Sequence, residues 1–238
     1  MDRRLRRAPE PTKSPRVLRD AECWVFDLDN TLYPASARLF DQIDRRMCAF
    51  IADFLELDHE AAWRVQKSYF REHGTTLRGL MIEHGMDPGP YLDYVHDIDL
   101  AAIVPDPALT KAIETLPGRK VIFTNSTQTH ANRVVDRLGI AHHFEAVFDI
   151  RDADYMPKPD PAVYRKMVED HRVDAASAVM VEDIKRNLAP AAAMGMATVW
   201  VSNDRPWAAA EVEDFTPDFT VRDLGAWLGE VAEDAPRD

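Results

Sequence analysis

Two aspartates, Asp27 and Asp29, directly follow the short apolar run C-W-V-F. Two more acids, Glu182 and Asp183, follow the apolar run A-V-M-V further along the chain. Carboxylates gathered at one point repel each other, and some become protonated unless a cation compensates their charge. Mg²⁺ prefers hard oxygen ligands. We therefore predict a magnesium site held by Asp27, Asp183 and a backbone carbonyl near Asp29, with Glu182 in a structural role.

Such a site suits phosphoryl transfer, because two acids at this spacing can divide the work. Asp27 would attack phosphorus and form an aspartyl-phosphate. Asp29 would protonate the leaving alkoxide and then activate the water that hydrolyses the intermediate. Lys158, in the sequence M-P-K-P, would offset charge on the phosphoryl group together with the metal. Thr124 and nearby backbone N–H groups would hold the non-bridging oxygens.

Short apolar runs bounded by turn signals predict the strands that must position these residues. They lie at 23–27, 119–124, 146–149, 178–182, 197–201 and 219–221. Helical patterns follow the later strands, at 129–138, 161–171 and 187–194. This alternation predicts an α/β fold with a doubly wound parallel sheet and helices on both faces. Ligands of such sheets bind beyond the carboxyl ends of the strands, where the candidate residues lie.

A long segment separates the first predicted strand from the second, although a crossover needs only about a dozen residues. Its amphipathic patterns, such as S-A-R-L-F-D-Q-I-D-R-R-M-C-A-F-I, predict an inserted helical cap. The predicted organisation begins with a disordered basic arm at 1–20. A core in two segments, 21–34 and 104–230, surrounds the cap at 35–103, and an acidic tail follows at 231–238.

The net charge of −12 argues against a nucleic acid duplex as partner. No apolar run approaches the ~20 residues that a membrane helix needs, so no membrane association is expected. The two cysteines, Cys23 and Cys48, form no C-x-x-C pair, which favours a reduced, cytoplasmic protein. The oligomeric state stays open between monomer and homodimer.

These residues also carry a resemblance to the haloacid dehalogenase superfamily. F-D-L-D-N-T-L at 26–32 resembles its first motif, F-T-N-S at 123–126 its second, Lys158 its third and V-E-D-I-K-R-N at 181–187 its fourth. The resemblance implies a Rossmann-like core, Mg²⁺ and an aspartyl-phosphate intermediate.

By position, the resemblance also assigns roles. Asp27 would be nucleophile and metal ligand, and Asp29 would be acid/base and a metal ligand through its carbonyl. The remaining assignments are metal binding by Asp183, phosphate binding by Thr124 and Lys158, and substrate binding by Asn125 and Ser126. One position departs from the pattern, because Asn187 stands where many relatives have a second acid. Asn187 can still orient a metal-bound water or Asp183, or it can be an ordinary helix N-cap.

The predicted cap is similar to that of the helical-cap subgroup of the superfamily. Within this subgroup, Y-P-A-S at 33–36, G-T-T-L-R-G-L at 74–80 and H-D-I-D at 96–99 are similar to pyrimidine 5′-nucleotidases. That similarity implies a small phosphorylated metabolite as substrate, specifically a nucleoside 5′-monophosphate such as UMP or CMP. The candidate substrate contacts in the cap are Thr75, Thr76, His96 and Asp97.

Several alternatives stay open. The substrate can be another small metabolite, such as phosphoglycolate or a sugar phosphate, and the fold can also serve a catalytically silent binding or regulatory protein. A 2-haloacid dehalogenase fits less well, because that branch needs no Mg²⁺ and lacks the second acid that Asp29 supplies. Asp29 and Thr124 can also be turn or cap residues, and Lys158 can be an exposed loop residue.

Overall fold

The computed structural model describes residues 16–233, and a parallel six-stranded sheet forms its centre. The strand order is β3-β2-β1-β4-β5-β6, and every neighbouring pair is parallel. The strands are β1 (Cys23–Phe26), β2 (Arg119–Phe123), β3 (Ala146–Phe148), β4 (Ala178–Glu182), β5 (Ala197–Val201) and β6 (Phe219–Val221). The predicted α/β fold is confirmed, and all six predicted strands are present to within one residue at each end.

Helices cover both faces of the sheet and also form the long segment after β1. They are α1 (Arg16–Arg19), α2 (Leu39–Leu55), α3 (His59–His73), α4 (Thr76–His84), α5 (Pro88–Val95), α6 (Pro107–Thr115), α7 (Gln128–Leu138), α8 (Pro161–Asp170), α9 (Lys185–Ala193) and α10 (Leu224–Glu233). At the start of seven of them a side-chain oxygen accepts a hydrogen bond from a backbone N–H; these capping residues are Asp58, Thr75, Asp87, Asp106, Thr127, Asp160 and Asp223. Short polar side chains thus fix where these helices begin.

The sheet is buried on both faces, as a parallel sheet between helices must be. Along β1, Trp24 and Phe26 face one apolar cluster and Cys23 and Val25 face another. Helices α6, α7 and α10 pack against the first face, and α8 and α9 pack against the second. The side chains of β1 thus alternate between the two faces. Asp27 follows the last residue of β1 and therefore lies at the carboxyl edge of the sheet.

Helices α2 to α5, which we call the cap, fall inside the predicted cap segment 35–103. In α2, the buried residues Leu39, Ile43, Cys48 and Ile51 recur at helical spacing. They join the same apolar cluster as the first face of the sheet. The sheet with its remaining helices is called the core below.

Three boundaries differ from the sequence prediction. Residues 16–19 were assigned to the basic arm but form α1, because Leu18 is buried in the core. The rest of that arm, 1–15, and the tail residues 234–238 lie outside the described residues, while 231–233 belong to α10. Asn187 lies inside α9 and is not its N-cap, which is Ile184.

Within residues 16–233, none of the helices combines the length and the apolar character that crossing a bilayer requires.

Candidate active site

The strand order explains how distant parts of the sequence meet. β1 lies between β2 and β4, so the residues that follow these three strands share one edge of the sheet. Asp27 comes after β1, Thr124 after β2 and Asp183 after β4, and all three line one cavity. The predicted core residues are therefore brought together.

Lys158 occupies the centre of this edge and is only 1% exposed. Its Nζ donates to Asp27 Oδ1 at 2.8 Å, to Glu182 Oε2 at 2.6 Å and to the Phe123 carbonyl at 2.7 Å. Burial alone would lower the pKa of Lys158, but the charges of Asp27 and Glu182 hold it above its ordinary value. All three ammonium donors are engaged, so Lys158 fixes the orientation of the Asp27 carboxylate.

Three buried acids lie close enough together to share one cation. Oxygens of Asp27, Glu182 and Asp183 are all within 4.8 Å of one another. Burial and then repulsion from Glu182 raise the pKa of Asp27 to about 7, although Lys158 opposes this shift. The same two causes, with repulsion from Asp27, raise the pKa of Asp183 well above its usual range. Additional positive charge would relieve both carboxyl groups.

The residues present fit a divalent metal ion. Three carboxylates and one ammonium leave an excess of two negative charges when all are ionised, and hard oxygen donors suit Mg²⁺. A further observation supports the fit at the position where relatives carry a second acid. Asn187 is 2% exposed and lines the cavity, and within the described residues its Oδ1 has no hydrogen-bond partner. An oxygen buried in this way is suited to accept a hydrogen bond from a metal-bound water.

The carboxylate of Asp29 has its own set of hydrogen-bond partners. Its Oδ1 accepts from Tyr33 Oη at 2.7 Å and pairs with His130 Nε2 at 2.9 Å, and its Oδ2 accepts from Ser126 Oγ. Burial would raise the pKa of Asp29, but the charge and hydrogen bond of His130, with the hydroxyls of Ser126 and Tyr33, lower it well below its usual range. The carboxylate of Asp29 is therefore held by Tyr33, His130 and Ser126 and not by Lys158, which binds Asp27 and Glu182.

Residues 124–126, from the second motif, connect the Asp29 carboxylate with the loop that carries Lys158. Thr124 Oγ1 donates to Ser126 Oγ at 3.0 Å and accepts from Ser126 N–H at 3.0 Å, so a hydroxyl chain connects Thr124 with Asp29. The amide of Asn125 accepts from the Lys158 backbone N–H at 2.8 Å and donates to its carbonyl at 3.4 Å. In this structure Asn125 thus supports the Lys158 loop; its predicted contact with substrate stays a prediction.

A cavity of about 820 Å³ lies above these residues and is lined from both the core and the cap. Aromatic side chains line it: Phe40, Trp63, Phe70, Tyr91 and Trp207. Gly74 ends α3 with a φ of +83°, and a Cβ there would meet Pro157 at 3.4 Å. This close approach brings the cap against the loop that carries Lys158.

The four candidates in the cap are placed differently. Thr75 and Thr76 line the cavity, but each hydroxyl also binds backbone: Thr75 accepts from Arg78 N–H and Thr76 donates to the Gln66 carbonyl. His96 lines the cavity and is 9% exposed. The Asp97 side chain is 79% exposed, pairs with Arg46 and does not line this cavity, so we leave it out of the proposed substrate contacts.

Several side chains at the site were not found from the sequence. His130 and Tyr33 hold Asp29, Thr31 donates to Asp27 at 2.9 Å, and Asn203 donates to Asp183 at 3.0 Å. Thr31 and Tyr33 each lie four residues after the acid they bind, which is a usable signal. Asn203 comes shortly after β5, which neighbours β4 in the sheet. His130 lies in the first turn of α7, where helix periodicity alone predicts only core packing.

Comparison with known proteins shows the family to which the chain belongs. The family model described as haloacid dehalogenase-like hydrolase matches residues 22–195. The chain belongs to that family. Among curated proteins, it is 27% identical over 219 residues to the phosphoglycolate phosphatase of Mesorhizobium japonicum, covering 88% of this chain and 94% of that protein.

A second relative is the phosphate metabolism protein 8 of Saccharomyces cerevisiae, which is 28% identical over 208 residues. The match covers 80% of this chain but 64% of the yeast protein, so the chain spans less than two thirds of that relative. In fold, the chain is similar to the crystal structure of a HAD phosphatase from Thermococcus onnurineus, with a TM-score of 0.59, 16% identity and coverage of 90% and 99% of the two chains. The chain is an enzyme, a phosphatase of the haloacid dehalogenase type.

Proposed function

We propose that the protein is a Mg²⁺-dependent phosphomonoesterase whose preferred substrates are pyrimidine nucleoside 5′-monophosphates, UMP and CMP. The observation that carries this proposal is the cavity above Asp27, which has acids and a lysine at its floor and aromatic rings at its walls. Its volume of about 820 Å³ is in the range of sites that enclose drug-sized ligands. A nucleotide is of that size, whereas phosphoglycolate would leave most of the space to water.

The floor supplies the chemistry. Asp27 Oδ2, which accepts only from Thr31 among the described residues, attacks phosphorus while Lys158 holds Oδ1. Asp27, Asp183 and the Asp29 carbonyl would hold Mg²⁺, with Asn187 orienting a bound water. Bound there, the ion supplies positive charge that stabilises the phosphoryl group during transfer.

Two proton movements complete the reaction. The pKa of Asp29 is low in the free protein, but the negative charge of a bound phosphoryl group raises it, so that Asp29 enters the reaction protonated. As the bond between phosphorus and the ester oxygen breaks, the carboxyl of Asp29 gives its proton to that oxygen, and the alcohol leaves. Asp29, now a carboxylate, takes a proton from the water that attacks the aspartyl-phosphate. Phosphate is released, and Asp27 and the protonated Asp29 are restored. The cap covers the cavity and excludes bulk water during these steps.

The walls supply the preference for a pyrimidine. Phe70 and Trp207 lie 6.1 Å apart at 79°, and a flat base can stack on such rings. Arg186 lies over Phe70, with its Cζ 4.8 Å from the ring centroid. Its buried Nε has no hydrogen-bond partner in the part of the chain that the structure describes. Uracil and cytosine both offer a ring carbonyl oxygen to such a donor, and adenine offers none.

A panel of phosphomonoesters, assayed with Mg²⁺ and with EDTA, tests the proposal. UMP and CMP should have kcat/KM values at least about tenfold above those of AMP, glycerol phosphate and phosphoglycolate, because base stacking adds about 1–3 kcal/mol. All turnover should stop in EDTA. Metal-independent activity, or no activity on any ester, would contradict the phosphatase mechanism, and the second result would favour a silent binding protein.

A second candidate substrate is phosphoglycolate or a similar small phosphorylated acid. The Mesorhizobium japonicum relative named phosphoglycolate phosphatase supports it, and Arg186 offers a cation to a substrate carboxylate. The same panel separates the two candidates. A higher kcat/KM for phosphoglycolate than for UMP would replace the nucleotide proposal and leave the mechanism at Asp27 unchanged.

A further inference from the structure

Asp29 has two oxygens with different freedom to react. A carboxylate accepts about two hydrogen bonds at each oxygen. Tyr33 and His130 together occupy both positions on Oδ1, and Ser126 occupies one on Oδ2. Among residues 16–233 no other hydrogen bond reaches Oδ2, so one position on this oxygen remains for a ligand in the cavity, which Asp29 lines. The side chains behind Asp29 thus decide which of its oxygens faces a substrate.

His130 is the most buried of these three side chains. It is fully buried, and its backbone N–H donates to Thr127 at the start of α7. Its ring lies on the ring of His96, with centroids 4.7 Å apart and planes at 27°. Its Nε2 is 2.9 Å from Asp29 Oδ1. The ring is therefore fixed by α7 on one side and by the end of α5 on the other.

We propose that His130 is a positioning residue for the general acid: by occupying Oδ1 of Asp29, it directs Oδ2 to the oxygen of the leaving alcohol. His130 itself touches no substrate, because it does not line the cavity above Asp27. The inference rests on the proposed function of Asp29 and adds the group that makes it effective. Without His130, Oδ1 is held by Tyr33 alone, so the carboxyl group is less firmly oriented and its proton is less well placed when the ester bond breaks.

The test compares esters that need the proton with one that does not. An alkoxide leaving group, as in UMP, requires protonation by Asp29, whereas p-nitrophenolate leaves without it. In His130→Leu, kcat/KM for UMP should fall by about tenfold to a hundredfold, and kcat/KM for p-nitrophenyl phosphate by less than about threefold. This ratio reports only the steps up to departure of the alcohol, so later hydrolysis of the intermediate does not obscure it. If UMP is not the preferred alkyl ester, the one that the wild type hydrolyses best takes its place.

Two further variants keep the test interpretable. His130→Gln retains an N–H near the position of Nε2 and should restore most of the activity on UMP. Val135→Ala removes buried contacts from the same helix without touching Asp29. It should lower the melting temperature but leave the ratio of the two kcat/KM values as in the wild type.

The outcomes separate this inference from the proposed function. Equal losses on both esters in His130→Leu, or no loss on either, would overturn the positioning role while leaving the phosphatase mechanism intact. If Asp29→Asn also loses equally on both esters, the general-acid role of Asp29 fails as well. A wild-type protein that hydrolyses neither ester would instead remove the proposed function itself.

Discussion

The core and the cap contribute different kinds of side chain to the same cavity. The core provides charged groups that are tightly paired and almost fully buried, such as Lys158 with Glu182 at 2.6 Å. The cap provides aromatic rings and histidine, including Trp63, which is 47% exposed, although Trp207 and Arg186 of the core also line the walls of the cavity. We expect from this difference that the charged residues at the floor set the rate for every substrate, and that the residues of the walls, most of them in the cap, set the order of preference among substrates.

Asp27→Asn should have the largest effect and the least dependence on substrate. An amide is a poor nucleophile, so kcat should fall by about 10³-fold or more for every ester in the panel. The variant should still fold, because the substitution removes a charge from a buried acidic cluster. Steady-state kinetics with circular dichroism would check both points.

Asp106→Asn is the matched control for this change. Asp106 begins α6 as its N-cap, and asparagine serves that position equally well. Its kinetics should equal those of the wild type. If Asp27→Asn retains more than a few per cent of the activity, Asp27 is not the nucleophile. The core would then not set the rate for every substrate in the way proposed above.

Lys158→Met should combine a large kinetic effect with a loss of stability. The substitution leaves Asp27 and Glu182 buried without their shared cation, which typically costs about 3–5 kcal/mol. Activity should fall by about a hundredfold or more on all esters. Denaturant unfolding measures the loss of stability. It is carried out in EDTA, because bound metal would compensate part of the lost charge.

Lys185→Met provides the comparison for Lys158→Met. Lys185 is also buried, but its partner Glu211 is 86% exposed, so that carboxylate stays solvated when the lysine is removed. Its loss of stability should be much smaller. Equal losses in the two variants would show that buried lysine stems, and not the paired charges, stabilise the core.

The core site could be predicted because chain topology places it. Residues after β1, β2 and β4 must share one sheet edge, so Asp27, Thr124 and Asp183 were found from strands and motifs alone. Lys158 is on a loop, and only its motif revealed it. Tyr33 and His130, which hold Asp29, were missed, because the direction of a carboxylate depends on side-chain rotation and not on its place in the sequence.

The cap was predicted less well, for a related reason. Helix periodicity shows which residues are buried, but not which buried residues border a cavity. His96 and Asp97 are adjacent at the end of α5, yet one lines the cavity and the other is exposed. Leu18 was likewise assigned to a solvated arm, because the surrounding Arg and Pro residues conceal the short apolar pair Val17 and Leu18 that packs against the core.

Phe70→Leu should sharpen the contrast between core and cap. If Phe70 stacks with the base, its loss should lower kcat/KM for UMP by about tenfold and leave glycerol phosphate nearly unchanged. Phe54→Leu is the matched control, since Phe54 is also in the cap but does not line the cavity. Equal losses on both esters in Phe70→Leu would place Phe70 in cap closure and not in recognition of the base.

An effect on stability that should be smaller than that of Lys158→Met concerns its pH dependence, in which core and cap should oppose each other. Burial and then repulsion from His130 lower the pKa of His96 from 6.5 to about 3. Between these pH values the unfolded state binds the extra proton, so the contribution of His96 to the free energy of unfolding falls as pH decreases. Asp27 acts in the other direction: its raised pKa means that the folded state binds the proton first, so its contribution rises as pH falls from about 7.

His96→Phe isolates the contribution of the cap, because it retains a ring beside His130 and removes the titrating group. In EDTA, wild-type protein should lose about 2 kcal/mol more stability than His96→Phe between pH 7 and pH 5, as measured by urea unfolding. Val95→Ala should lower stability equally at both pH values, since it removes only apolar contacts. Parallel pH profiles for wild type and His96→Phe would mean that His96 gains its proton without unfolding. A protonated His96 would then be stabilised inside the folded protein, as Lys158 is in the core. The cap and the core would no longer differ in how they tolerate a buried charge.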